Sequence, residues 1–307
     1  MSEAATGIIK RPYAIIGAGN VGNALGRAIH IAGFRIAAVI NKSHPDAVDL
    51  AKAVSADIVS TDIRSLPKEP CTIICAVPDN ALVEVADALS TVPREWSGCI
   101  VMHTSGARAS SVFQNLRKRG AGCASFHPLK SIPDGREAAV LADAIVAIEG
   151  DTIAVDVATS LARLLHMRPI AISEASKPAY HLGASIASNF VVTLFGMINE
   201  VLAAAGFSDL SAGELYGMLS QKTIDNIAAL GPGAALTGPI SRGDTETVKI
   251  HLQYLRANLP HLLPVYASLS TETVRTAVKA GKIDSDQART VLDIVHNALL
   301  PSLGTDL

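Results

Sequence analysis

The sequence predicts an α/β Rossmann-type domain built on a mostly parallel sheet, followed by an all-α domain. Three observations carry this expectation. Short β-branched runs alternate with helical patterns through the first half of the 307-residue chain, the alternation that wraps a parallel sheet in helices. Beyond residue 173 the β pattern stops and only a 3.6-residue periodicity continues. A glycine-rich turn stands between the first strand and the first helix. The length suits two domains, residues 1–173 and 174–307. With no repeat or low-complexity linker between them, their cleft is the natural place for a site.

Composition narrows the function. With 26 Lys plus Arg against 28 Asp plus Glu the formal charge is -2, which argues against nucleic acid or a polybasic membrane footprint. Aromatics are only 4%, too few for base-stacking platforms. Hydrophobic residues reach 49% against 18% charged, so much helix is expected to be buried or to form a subunit interface, and a homodimer is expected. The opening residues MSEAATGIIKRPY carry no secretory or transit pattern, which points to the cytoplasm. The stretch Phe190 to Phe207 is interrupted by Asn199 and Glu200 and reads as a buried helix, not a membrane span. Cys71, Cys75, Cys99 and Cys123 form no Cys-x-x-Cys pair and read as buried thiols.

The elements follow in order. Strand Tyr13–Ile16 runs into Gly17-Ala18-Gly19-Asn20-Val21-Gly22, with a helix beginning near Val21. Gly17 permits the turn, Gly19 lets a pyrophosphate approach the backbone, and Gly22 lets helix and strand lie close. The second strand, Arg35–Ile40, ends in Asn41-Lys42-Ser43, where an NAD-binding protein would place a carboxylate on the ribose. A cation, a hydroxyl and an amide suit a 2′-phosphate, so NADP(H) is preferred to NAD(H); the alternative is that these residues only cap a turn before Pro45. Strand Thr72–Ala76 leads to Ala76-Val77-Pro78, small enough for a cofactor to lie across, and Asp79 reads as a helix cap. Strand Cys99–His103 ends in His103-Thr104-Ser105-Gly106, which reads as site-lining. Strand Gly122–Phe126 is followed by His127, a substrate ligand or a packing histidine. Strands 144–148 and 168–172 complete the sheet.

Helices are expected over 177–205, 211–229, 244–258, 260–280 and 284–299. Pro178 is tolerable only in a first turn, so Lys177 begins its helix. His181, Ser185, Ser188 and Asn189 continue the same face as a polar stripe. Lys177, with a pKa lowered by burial, is the first candidate acid, His181 could donate in its place, and Asn189 could anchor a carbonyl or carboxylate. The alternative leaves Lys177 solvated and the stripe as helix–helix hydrogen bonds. The loop Leu236–Asp244 presents Thr237 and Arg242 for a substrate carboxylate, and Asp244 as the N-cap of the next helix.

Together, Ile15–Gly22, Ala76–Asn80, His103–Gly106, His127–Leu129, Lys177–Asn189 and Leu236–Asp244 resemble a family: a Rossmann-like domain followed by the helical domain of unknown function 2520, of the 6-phosphogluconate dehydrogenase C-terminal kind. It is related to pyrroline-5-carboxylate reductases, 3-hydroxyacid dehydrogenases and ketopantoate reductases. The resemblance implies an NADP(H) site on the first domain, chemistry at the cleft, and a dimer built from the helical halves, but no substrate; Lys177, Asn189 and Arg242 together would suit the carbonyl and carboxylate of a small, ketopantoate-like oxo or hydroxy acid. In the better-known relatives the helical lysine is followed one turn later by asparagine; here that position is His181. A non-catalytic NADP(H)-binding regulator is the competing class. A metal enzyme using His103, His127 and His181 is the third; no Cys or carboxylate spacing supports it, and no metal is expected.

Overall fold

The central strands are apolar on both faces, which is why the sequence shows unbroken β-branched runs and little alternation. The computed structural model describes residues 7, 9–207 and 209–300; residues 1–6, where the absence of a leader is partly read, lie outside them. Strands β1 (Tyr13–Ile16), β2 (Ile36–Ile40), β3 (Ile58–Ser60), β4 (Thr72–Cys75), β5 (Ile100–His103), β6 (Gly122–Leu129), β7 (Ile145–Gly150) and β8 (Arg168–Ala171) form one sheet. Its order is β3-β2-β1-β4-β5-β6-β7-β8. Pairing is parallel except between β6 and β7. The short edge strand β3 is absent from the sequence reading; three half-buried residues give no periodic signal.

Helices α1 (Asn20–Ile31), α2 (His44–Ala53), α3 (Leu82–Thr91), α4 (Gln114–Lys118) and α5 (Thr152–Leu164) cover the two faces. Ile15, Val39, Ile74 and Met102 pack with α1, α2 and α5, while Ala14, Ile16, Ile73 and Val101 pack with α3 and α4. Strand order reverses between β1 and β4, so the ends of those two strands open the crevice where ligands bind in such sheets.

The residues up to Ser188 form one compact unit and those from Asn189 another. The break therefore falls beyond 173, because α6 (Lys177–Ala187) buries its Lys177 side chain in the α/β unit. The expected helix 177–205 divides at Ser188, whose φ of -120° leaves the helical range.

The second unit comprises α7 (Asn189–Ala204), α8 (Ala212–Leu230), α9 (Pro232–Ala235), α10 (Thr245–Asn258), α11 (Leu263–Lys279) and α12 (Ser285–Asn297). Val248, Leu252, Leu255, Val274, Val291 and Val295 form its core. Asp244 caps α10 as expected, accepting from the Thr247 N–H at 3.1 Å. Asn199, which interrupts the apolar stretch, accepts from the Ala212 N–H at 2.6 Å and so caps α8. The expectation that Phe190 to Phe207 is buried is corrected: α7 buries only Leu202, and Val192 is 73% exposed. The run Glu174–Ala204 is, among the described residues, the one helical stretch long and apolar enough to cross a membrane, with a mean hydropathy of 1.5.

Candidate functional site

The glycine turn has the shape its sequence demands. Gly17 adopts φ +99°, and a Cβ there would lie 2.3 Å from the Ala76 carbonyl oxygen. A Cβ on Gly22 would lie 1.8 Å from the Gly17 carbonyl oxygen, so no side chain fits either position. A Cβ on Gly19 would meet nothing within 4 Å. That open approach to the start of α1, whose first N–H groups have no intrahelical partners, is the cradle a pyrophosphate requires. A cavity of about 470 Å³ opens beside it, lined in part by Asn20, Asn23, Arg27, Asp134 and Arg136.

Asn20 turns its amide away from this cradle, donating to the carbonyls of Ile132 and Pro133 at 3.0 and 2.9 Å. Asn41 braces the turn: its Oδ1 accepts from the Ala18 N–H at 3.0 Å and its Nδ2 donates to the Ser43 carbonyl at 3.0 Å. Lys42 is exposed and Ser43 half-buried. Ser43 precedes α2 without a side-chain cap hydrogen bond, which leaves its hydroxyl available.

At the other end of the crevice, β5, β6 and α6 meet. Lys177 is 1% exposed; its Nζ donates to the Ser125 hydroxyl at 2.6 Å and the Ser105 carbonyl at 3.2 Å. Burial lowers its pKa, while the charges of Glu149, Asp79 and Glu174 oppose that shift. Glu149, also buried, accepts from the Ser110 N–H at 2.6 Å and the Ser110 hydroxyl at 2.9 Å.

One turn along α6, the Tyr180 hydroxyl and His127 Nδ1 form a 2.8 Å hydrogen bond, with the rings edge to face. The His181 ring centroid lies 6.3 Å from that of His127. Both rings crowd Gly106: a Cβ there would stand 2.6 Å from His181 Cδ2 and 2.9 Å from His127 Nε2. Burial first, then the positive charges of Lys177 and His181, push His127 down to about 4. Burial pushes Tyr180 up to about 12. At neutral pH the pair is thus an uncharged imidazole and an uncharged phenol.

Two readings of the sequence are corrected here. His103 is fully buried, accepts at Nδ1 from the Ser105 N–H at 3.2 Å and lies 5.5 Å from the Phe113 ring; its ring is a packing group and does not line a cofactor site. Asp79 does not cap α3, which starts at Leu82 without a side-chain cap. Its charge instead acts on Lys177 and His127. Thr104 remains half-buried at its strand end, Ser105 is buried, and Ala76 and Val77 are half-buried beside exposed Pro78.

The structure brings Lys177, His181 and His127 together with Ser105. Asn189, Thr237 and Arg242 belong to the second unit, where all three are exposed. The sequence reading missed Tyr180, Ser125 and Glu149. Strand periodicity offered a signal for Ser125, since it lies two residues before His127 in β6 and shares its face. Among the described residues no cluster of three or more His, Cys, Asp or Glu side chains is arranged to hold a metal.

Residues 6–128 match the Rossmann-like domain and residues 144–273 match the domain of unknown function DUF2520. The chain thus carries a match to a Rossmann-like domain followed by a match to DUF2520, and the second match begins at the last part of the sheet, taking in β7, α5 and β8. No curated protein matches it significantly. Among solved structures it is similar to a candidate NADP oxidoreductase from Bacteroides fragilis, with 24% identity over 87% of this chain and 98% of that one and a TM-score of 0.73. A protein from Thermotoga maritima is also 24% identical, over 86% and 99%, with a TM-score of 0.70. An imine reductase from Myxococcus stipitatus in complex with NADP+ is 17% identical over 92% and 99%, with a TM-score of 0.60. These likenesses establish a shared fold.

Proposed function

We propose that the protein is an NADP(H)-dependent oxidoreductase that moves a hydride to or from a small anionic oxo or hydroxy acid. The observation that carries this reading is an open glycine cradle at Gly19 and a set of proton-bearing side chains over Gly106, both at the C-terminal ends of strands in the same parallel sheet. NADPH, when bound, supplies the hydride. The backbone of Gly17, Gly19, Asn20, Val21 and Gly22 receives the pyrophosphate. Lys42 and Ser43 bind the 2′-phosphate, on a turn that Asn41 holds in place. Ala76, Val77, Pro78, Thr104 and Ser105 give the cofactor a surface without bulk. The fold shared with the Bacteroides and Myxococcus proteins, named for NADP, supports the choice of nucleotide.

Lys177 sets the field of the site: its buried ammonium fixes β5 and β6 through Ser105 and Ser125 and favours the neutral form of His127. His181 and His127 reach the substrate oxygen, His181 as the proton carrier. Asn189, Thr237 and Arg242 complete the reading as anchors of the substrate carboxylate. The same groups can act on a C=N bond, and the fold shared with an imine reductase favours testing that class. A homodimer in the cytoplasm fits the apolar faces of α7 and α8, which a second copy would cover.

The test is calorimetric titration of nucleotide-free protein with NADPH and NADH, with and without a panel of 2-oxo acids and cyclic imines. NADPH is expected to win clearly, and one panel member to tighten it and be turned over. Tight NADPH binding without turnover would support the regulator instead, and no binding of either nucleotide would end the proposal.

A further inference from the structure

Two of the four cysteines stand side by side just before the N-terminal ends of two central strands, the ends opposite the site. Thr72 pairs with Ile100 in the parallel ladder of β4 and β5. Cys71 and Cys99, each one residue earlier, therefore sit at the same level of adjacent strands, in the same core cluster. Neighbouring strands run about 4.8 Å apart, a spacing that falls inside the Cα range of disulfides.

One guanidinium covers both sulfurs. Arg94 Nη2 lies 3.2 Å from Cys99 Sγ and Nη1 lies 3.6 Å from Cys71 Sγ. The group is fixed there: Nη2 donates to the Glu69 carbonyl at 2.8 Å, and the guanidinium stacks over Trp96 at 5.2 Å. Arg94 is itself half-buried, and Cys71 and Cys99 beneath it are fully buried. Packing alone does not need two guanidinium nitrogens on two sulfurs, and a guanidinium is a strong donor to thiolate.

We propose that Cys71 and Cys99 are a redox-active pair that hydrogen peroxide converts into a reversible disulfide. The Cys99 thiolate attacks one peroxide oxygen; the O–O bond breaks, sulfur loses two electrons, and a sulfenic acid and hydroxide result. The Cys71 sulfur then attacks the Cys99 sulfur, its proton leaving with the sulfenic oxygen as water. Two thiols and one peroxide give one disulfide and two waters. The assignment of roles follows from the surroundings. The neighbouring Cys71 thiol, with the charges of Arg94 and Arg11, holds Cys99 down to about 6 against its burial, while Cys71 is pushed up. Cys75 and Cys123 are pushed up by burial and remain thiols.

The test treats the reduced full-length protein with hydrogen peroxide, quenches it, and alkylates it with N-ethylmaleimide under denaturing conditions before peptide mapping. Two thiols should escape alkylation, a single Cys71–Cys99 cross-link should appear, and dithiothreitol should restore all four. Cys71→Ser should stop at a dimedone-reactive sulfenic acid on Cys99, and Arg94→Gln should slow wild-type oxidation at pH 7 by about tenfold. Four free thiols after peroxide, a link through Cys75 or Cys123, or sulfinic acid on Cys99 without a link would each overturn the proposal. The decisive arm uses the unmutated protein, so a variant that fails to fold leaves the answer intact.

Discussion

The Lys177 ammonium donates a 2.6 Å hydrogen bond to the Ser125 hydroxyl, tying the first turn of α6 to β6. With its second bond, to the Ser105 carbonyl, this makes Lys177 a brace between β5 and β6. Replacing Lys177 by Met keeps the chain length but leaves the buried Ser125 hydroxyl without its donor, and leaves the Ser105 carbonyl only the donation from Ser125 at 3.3 Å. The expected cost is about 1–3 kcal/mol of stability, read as a lower urea midpoint, with NADPH affinity unchanged. An unchanged midpoint would show that the lysine does not hold these strands.

Gly106 is the floor beneath the two histidine rings. In Gly106→Ala the added methyl would lie 2.6 Å from His181 Cδ2 and 2.8 Å from His127 Cε1, so both rings must shift while the backbone keeps its path. Turnover should fall at least about tenfold, since displacement of an orienting group by about 1 Å costs rate steeply. NADPH binding should stay within about twofold, because the methyl does not touch the glycine cradle. Loss of nucleotide binding in calorimetry would refute this separation.

The parts of the chain with strong periodicity were legible before the structure. The Gly17–Gly22 turn, Pro178 in a first turn and the Asp244 cap each follow from a local rule about φ, missing N–H groups or helix ends. What escaped was decided by tertiary contact. In the sequence His103 and His127 both stand where an apolar strand runs out, yet in the structure His103 ends β5 and packs on Phe113 while β6 runs on past His127, which reaches Tyr180, and nothing in one sequence distinguishes them. Asp79 sits where a cap belongs, but α3 begins three residues later. The break at Ser188 carries no proline or glycine to announce it.

Two buried imidazoles set a pH dependence. His127 is held down to about 4 and His103 to about 3, against an ordinary 6.5, chiefly by burial. Between pH 6.5 and about 4 the unfolded chain therefore binds more protons than the folded one, and stability rises with pH there. Going down in pH, each group removes about 1.4 kcal/mol per pH unit across its window. Chemical denaturation between pH 7 and pH 4.5 should show this loss, and His103→Gln should reduce its slope by about half, leaving the part due to His127. A level profile in the unmutated protein would contradict the assignment of neutral imidazoles.

The apolar faces of α7 and α8 demand a cover. Met218 is 89% exposed, Leu219 65% and Leu230 62%, far more apolar side chain than a stable monomer leaves to water. A second copy is the expected occupant, because Lys222 and Asp225 share α8 with those residues and charges are costly in a bilayer. Sedimentation should give a dimer, and Met218→Glu with Leu219→Glu should shift it toward monomer and weaken it at least about tenfold. A detergent-free monomer that floats with lipid vesicles would favour the membrane.

Cofactor choice rests on the turn after β2. Asn41 uses both ends of its amide, accepting from the Ala18 N–H and donating to the Ser43 carbonyl. Asn41→Asp keeps the acceptor, loses the donor and adds a negative charge beside exposed Lys42. A carboxylate there would repel a 2′-phosphate and accept from a ribose hydroxyl. The ratio of NADPH to NADH affinity should fall by about tenfold or more, a shift of about 1.4 kcal/mol. Lys42→Ala should lower NADPH affinity alone, and the loss should shrink at high salt, as expected for an exposed charge. If both variants weaken NADPH and NADH equally, the turn only supports the glycine loop, and the 2′-phosphate must be held elsewhere.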